Sequence, residues 1–403
     1  MKPKILAVAL FVATAGAVGL YPFFESAVAV TPPPQAAQLP AHGAAVTDRP
    51  KIEVVFVLDT TGSMSGLIEA AKEKIWSIAT TMAQARPAPE IRMGLVAYRD
   101  RGDDYVTRVV DLSTDLDSVY ATLMDFRADG GGDGPESVNQ ALDDALNRIS
   151  WSADQSAYQV VFLVGDAPPH MDYQDDVKYP QTIKAATGRG IVVNAVQCGS
   201  DPVTARRWQE MARLGDGTVL EVEQDGSAVA IATPFDKDLA DLSAQLDETR
   251  LYYGSAEEKA VKQRKVEAAE KLHAGASVAA RARRATFNAS KSGEANLTGE
   301  GELVEDVASG KVDLDTIDRE ALPTPMQALA PEAQKALVEE TAARRTELKR
   351  QIETLAEQRS AYLKEKVAEQ GGAAGSLDDE LYDAVREQAG KKGIRYEAAA
   401  PAY

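Results

Sequence analysis

The sequence predicts an α/β fold, a doubly wound and mostly parallel central sheet flanked by helices, followed by an α-helical C-terminal region. Three observations predict it. Between Lys51 and Phe235 short apolar runs alternate with longer amphipathic ones, as in a parallel sheet covered on both faces. The run VVFVL at Val54 to Leu58 is apolar at every position, which suits a central strand buried on both sides. Beyond Phe235 aromatic residues thin out and Ala, Glu, Lys, Arg and Gln dominate, a composition that reads as helices.

The elements follow in order. Lys2 and Lys4 precede the apolar run Ile5 to Leu20, and Ala27 and Ala29 stand in an A-x-A arrangement. This is the layout of a secretory signal peptide over 1–29, with a retained membrane anchor as the alternative, since Ile5 to Phe24 is about long enough to span a bilayer. The expected location is secreted or periplasmic, or anchored to the membrane through this segment. Residues 30–50 are rich in Pro and Ala (TPPPQAAQLPAHGAA) and read as an extended or flexible linker.

Residues 51–235 carry six strand-like runs, Ile52 to Leu58, Ile91 to Ala97, Tyr105 to Leu112, Tyr158 to Val164, Ile191 to Val196 and Val219 to Val222. Helical spacing of apolar residues marks Leu67 to Met82, Leu116 to Phe126, Glu136 to Ile149, Gln181 to Thr187 and Val203 to Leu214. In 236–403, Ser255 with Glu258 forms a capping-box start, and Pro331 sits where a first helical turn tolerates it. Leu348, Ile352, Leu355 and Tyr362 share a seven-residue seam, but Arg345 and Arg359 fall on it too, which argues against a coiled coil. A flexible interruption is expected near 287–313.

Composition excludes some functions. With 62 acidic against 44 basic residues the formal charge is -18, and phosphate backbones need the opposite field, so no nucleic-acid partner is expected. The chain has one cysteine, Cys198, so no intrachain disulfide forms. At the end of a strand-like run it reads as a small buried apolar residue.

The chemistry concentrates in VVFVLDTTGSMSG, Val54 to Gly66. A nucleophile elbow needs serine at the centre of G-x-S-x-G, where GSMSG has Met64. A phosphate loop needs a lysine after its last glycine, and none follows Gly66. An aspartyl-phosphatase reading of LDTTG has Thr61 where the second acid belongs. His170, in DAPPH, is the histidine a serine triad would use, and a loop histidine beside two prolines needs no such role. A metal fits better. Asp59, Thr61 and Ser63 alternate along a loop at a strand's carboxyl end and can aim three hard oxygens at one point, which suits Mg²⁺. Asp133, within GGGDGPE, and Asp166, after the strand VVFLVG, arise from two further loops. In an open parallel sheet the ligand crevice lies beyond the strand carboxyl ends where strand order reverses.

The set DTTGSM, GGGDGPE and GDAPPH in this alternating context resembles the von Willebrand factor A domain, most closely its branch in secreted bacterial proteins and in some proteins with an attached alpha-kinase. The resemblance covers roughly Lys51 to Phe235. It implies a Rossmann-like sheet of order 3-2-1-4-5-6 with an antiparallel edge pairing. It also implies a metal-ion-dependent adhesion site, in which the Thr61 and Ser63 hydroxyls ligate the ion directly and Asp59 and Asp166 hold it directly or through water. One coordination position is left for an acidic side chain of a partner protein. The second loop commonly supplies a threonine, whereas here Asp133 is the matching residue, an extra negative charge that weakens the pull on an incoming carboxylate. The expected function is thus that of an exported, non-enzymatic protein binding an envelope or extracellular protein ligand through Mg²⁺, or Ca²⁺ or Mn²⁺, at Asp59, Thr61, Ser63, Asp133 and Asp166. The alternatives are a metal-dependent hydrolase or phosphoryl-transfer enzyme using the same acids, and a purely structural ion.

Overall fold

The computed structural model describes residues 49–132, 134–222, 231–369 and 377–397. The expected signal peptide, nearly all of the linker, and Asp133 lie outside them. Six strands form one sheet: β1 (Lys51–Asp59), β2 (Glu90–Tyr98), β3 (Thr107–Ser113), β4 (Tyr158–Gly165), β5 (Ile191–Cys198) and β6 (Asp216–Val222). Between them run α1 (Ser65–Ala83), α2 (Leu116–Leu123), α3 (Val138–Asn147), α4 (Tyr179–Gly188) and α5 (Pro202–Leu214). The C-terminal region adds α6 (Asp236–Asp247), α7 (Ala256–Gly275), α8 (Val278–Ala289), α9 (Glu294–Leu297), α10 (Leu303–Ala308), α11 (Pro331–Glu369) and α12 (Leu377–Gly390).

The sheet order is β3-β2-β1-β4-β5-β6. Only the β2–β3 pairing is antiparallel. Every residue of β1 after Lys51 is buried, as a strand covered on both faces requires. Its side chains alternate between two cores: Val54 and Phe56 face α1 and α2, while Val55 and Val57 face α3, α4 and α5. Strand order reverses between β1 and β4, and in register Asp59 lies opposite Tyr98 and Leu58 opposite Val164. The carboxyl ends of β1, β2 and β4 therefore reach the same rim, and Asp59 and Asp166 leave the sheet on either side of the switch point.

The helical region packs against the α1 and α2 side of the sheet. α8 lies on α1 and α6, and α7 lies on α2. The expected capping box is present at the start of α7: Ser255 Oγ accepts from Glu258 N at 3.2 Å, and Glu258 Oε2 accepts from Ser255 N at 2.7 Å. The stretch 287–313, expected as a flexible interruption, is instead packed, with short helices at Glu294–Leu297 and Leu303–Ala308. Phe287, Leu297 and Leu303 are buried there, and Asn296 Nδ2 donates to Asn288 Oδ1 at 2.7 Å. The arginines that break the seam of α11 are equally accounted for. Arg345 forks onto Glu302 at 3.0 and 2.9 Å, and Arg359 Nε donates to Asp236 Oδ1 at 2.7 Å.

The chain then returns to the sheet. Leu381, Val385, Ala389 and Ile394 join the same core as α1, and burying a Leu, Val or Ile side chain contributes about 1.5–3 kcal/mol. Gln388 exchanges hydrogen bonds with Asn194 of β5 at 2.8 and 3.1 Å and accepts one from Tyr158 Oη at 2.7 Å. One face of the sheet is thus closed by residues that follow a long helical excursion after β6. Among the described residues no helix is long and apolar enough to cross a membrane.

Candidate functional site

A cleft of about 550 Å³ opens at the rim where strand order reverses. Its walls come from the loops after β1, β4 and β5 and from the glycine-rich loop before α3: Thr61, Gly62, Ser63, Gly130, Gly131, Gly134, Pro135, Glu136, Asp166, Ala167, Pro168, Asp201, Val203 and Thr204. Thr61, Ser63 and Asp166, expected from sequence, all line it. Asp59 lies beneath its floor, fully buried.

The first loop is built by local hydrogen bonding. Thr61 donates to Asp59 Oδ1 through both its backbone N, at 2.9 Å, and its Oγ1, at 2.6 Å, a turn that short polar side chains favour. Thr61 Oγ1 and Ser63 Oγ are 3.5 Å apart, so Asp59, Thr61 and Ser63 form a row of oxygens. Asp59 Oδ2 is buried with no hydrogen-bond partner. Burial pushes the Asp59 carboxyl up to about 7; Asp166 adds to this, and the Thr61 hydrogen bonds oppose it.

Two glycines keep the space open. A Cβ on Gly165 would stand 2.4 Å from Tyr98 Oη and 3.2 Å from Asp59 Oδ2. Gly131, at φ +78°, is a backbone conformation L side chains rarely adopt, and a Cβ there would lie 3.0 Å from both Glu136 Oε1 and Thr61 Cβ. The glycine-rich loop is anchored from outside: Gly131 N donates to Asp103 Oδ2 at 3.0 Å and Gly62 N to Gly130 O at 3.2 Å.

Glu136 is the residue that sequence reasoning missed. In the sequence it marks only the start of a helix, yet it is 3% exposed, and its Oε2 is buried without a partner. Its backbone is clamped to the loop after β4, Glu136 N donating to Pro168 O at 2.9 Å and His170 N to Glu136 O at 3.0 Å. Burial pushes its carboxyl up to about 9, with Asp59, Asp100, Asp103 and Asp166 adding to the effect. The signal available was the acid closing GGGDGPE.

His170 is held in a separate cage. Its Nδ1 is 2.8 Å from Asp172 Oδ1, its Nε2 3.3 Å from Asp100 Oδ2, and its ring stacks on Tyr173 with centroids 4.0 Å apart. Tyr173 Oη and Ser137 Oγ both donate to Asp100, at 2.9 and 2.8 Å. These contacts tie the loop after β2 to the loop after β4 and give the histidine a bracing role.

Residues 53–221 match the family of the von Willebrand factor A domain. That segment is a von Willebrand factor A domain. Over 120 residues the chain is 35% identical to von Willebrand factor A domain-containing protein 7 of Rattus norvegicus, covering 30% of this chain and 12% of that protein. A stretch of 121 residues is 28% identical to the alpha-protein kinase vwkA of Dictyostelium discoideum, covering 30% of this chain and 19% of that protein. The chain thus spans less than a fifth of the length of either relative. A solved von Willebrand factor type A structure from Catenulispora acidiphila superposes with a TM-score of 0.34 at 19% identity, over 45% of this chain and 40% of that one. A domains generally bind protein partners.

The residues of this A domain fit a divalent cation. Two buried carboxylate oxygens without partners, Asp59 Oδ2 and Glu136 Oε2, meet hydroxyls and glycine-lined space, the hard-oxygen chemistry of Mg²⁺, Ca²⁺ or Mn²⁺. Among the described residues no group of three or more His, Cys, Asp or Glu side chains is spaced to hold an ion; the hydroxyl residues Thr61 and Ser63 line the same cleft as Glu136 and Asp166.

Proposed function

We propose that this chain is a non-enzymatic, exported protein whose A domain binds a protein partner through a divalent cation. Asp59, Thr61, Ser63 and Asp166 would hold the ion, Mg²⁺ first, with Ca²⁺ or Mn²⁺ as alternatives. The observation that carries the reading is the orphaned, fully buried Asp59 Oδ2. An unpaired buried acid is costly, and a cation above it offsets that cost. The partner would be an envelope or extracellular protein engaging the cleft rim; the formal charge of -18 disfavours nucleic acid.

The test compares the full chain with Asp59→Asn. Isothermal titration with Mg²⁺ and Mn²⁺ should show binding only by the parent, and capture of envelope proteins should depend on added cation and be lost in the variant. Equal cation binding by the two chains, or capture insensitive to EDTA, would overturn the reading.

A further inference from the structure

The rim opposite the cleft carries the other charge. At the amino ends of the strands, segments far apart in sequence meet around the entry to β1. Arg49 Nη2 donates to Pro89 O at 2.8 Å and to Lys291 O at 3.1 Å, and its Nε donates to Ala88 O at 3.1 Å. Arg86 and Arg395 exchange backbone hydrogen bonds at 2.8 and 3.3 Å. Lys392 Nζ donates to Gln155 O, in the turn before β4, at 2.9 Å. Bases from before β1, before β2, after α8 and after α12 thus share one rim.

These charges are not neutralised where they stand. Among the described residues Arg49, Arg86, Lys291, Lys392 and Arg395 make no ion pair with a carboxylate. The acids beside them answer other bases, Asp154 lying 3.5 Å from Lys51 and Glu387 3.3 Å from Lys391. Arg86, Lys291 and Arg395 are exposed. A base a few residues past a helix end has a local reason, since the helix dipole favours cations there. That preference fades within a turn. It does not explain why the ends of α1, α8 and α12 bring theirs together with Arg49 and no carboxylate, in a chain of 62 acidic and 44 basic residues.

We infer that this rim is a docking face for anionic lipid headgroups, with the cleft turned away from the bilayer. Charge complementarity supports it: clustered Lys and Arg are what a negative leaflet attracts. So does the course of the chain, because the sequence holding the apolar run Ile5 to Phe24 joins the domain at this rim, through Asp48 and Arg49. The total charge of -18 does not cancel the patch. β1 runs nine residues from this rim to Asp59, about 30 Å at ~3.3 Å per residue, whereas exposed charges are screened over about 8 Å at physiological salt. The acidic cleft is therefore electrostatically remote from the headgroups. The inference does not depend on a cation in that cleft.

The distance of this rim from a membrane tests it, in the full chain. A fluorophore on Gln155→Cys, in a Cys198→Ala background, stands beside Lys392 without changing the charge. Vesicles of phosphatidylcholine alone, or rich in phosphatidylglycerol, carry a headgroup spin label as quencher. Quenching reports the position of this rim whether or not the apolar run inserts. The expected result is strong quenching on anionic vesicles and little on neutral ones. The difference should vanish when salt is raised about tenfold, and in the chain carrying Arg86→Glu, Lys392→Glu and Arg395→Glu. If charge reversal unfolds the chain, Arg86→Gln with Arg395→Gln serves, and should raise the lipid concentration for half-maximal quenching about tenfold or more. Equal quenching on the two kinds of vesicle, or quenching unmoved in a folded charge variant, would overturn the inference. Binding of a duplex oligonucleotide as tight as binding to the anionic vesicles would overturn it too, in favour of a nucleic-acid surface.

Discussion

Arg284 and Asp117, 167 residues apart, form a two-pronged ion pair with both side chains fully buried: Nε donates to Oδ1 and Nη2 to Oδ2, each at 2.6 Å. Arg284 belongs to α8 and Asp117 to α2, so the pair fastens the helical region to the A domain. Asp247 takes a further bond from Arg284 Nη2 at 3.1 Å, and His273 Nε2 lies 2.8 Å from Asp247. Removing one partner leaves an uncompensated buried charge. Arg284→Met should destabilise the chain by about 3–5 kcal/mol in denaturant unfolding, and Asp117→Leu with Arg284→Met should recover much of that loss. A double variant no better than the single would show that the pair acts by more than mutual neutralisation.

The same cluster sets an acid limit on docking. Burial alone would raise the Asp117 carboxyl, but the Arg284 charge and hydrogen bonds outweigh it and hold it below its ordinary 3.8. Asp247 is lowered likewise by Arg284 and Arg250 against the effect of burial. Since the unfolded chain binds these protons more readily, the stabilisation is complete above the ordinary carboxylate value and is lost as pH falls below it. Lys265 faces the cluster and brings positive charge of its own. The melting temperature should drop between pH 5 and pH 3, and the drop should be smaller in the Asp117→Leu, Arg284→Met chain.

Cys198 should be inert in the folded protein. Its side chain is 1% exposed, and burial, followed by the charges of Asp166 and Asp59, pushes the thiol far above its ordinary value. The thiolate is the reactive form. Alkylation at pH 8 should proceed only at the rate of unfolding and become rapid in guanidinium chloride; fast labelling under native conditions would contradict the packing at the end of β5.

Gly165→Ala should damage the site at its base. The added carbon would sit 2.4 Å from Tyr98 Oη, an overpacking that costs about 1–3 kcal/mol. Adding Tyr98→Phe removes the clashing oxygen along with its 3.3 Å hydrogen bond to Val164 O. The double variant should therefore melt above Gly165→Ala alone. Thermal melting of the three chains checks the order.

What could be read from sequence divides along the distance over which each feature is determined. Asp59, Thr61, Ser63 and Asp166 were legible because strand ends and short loops position them. The strand order was legible through the motifs that carry the A-domain resemblance. Glu136 was not, because its local surroundings look like a helix start, and its burial comes from pairing with Pro168 and His170, more than thirty residues on. Arg345 and Arg359 looked like faults in a seam because their partners, Glu302 and Asp236, lie 43 and 123 residues away. The stretch 287–313 looked loose because its polar residues were counted as solvated, whereas Asn288 and Asn296 are buried and bonded to each other.

The late return of α12 to the sheet has a consequence for how the protein is made. Synthesis delivers all six strands, then the excursion over 236–369, and only afterwards the helix that packs against β6 and the Gln388 that bonds to Tyr158 and Asn194. At roughly 5–20 residues per second this leaves a bare apolar surface for on the order of 10 s. A nascent chain in that interval is an adhesive half-product, and whatever shields it, a chaperone or the provisional collapse of its own helices, governs the yield of native protein.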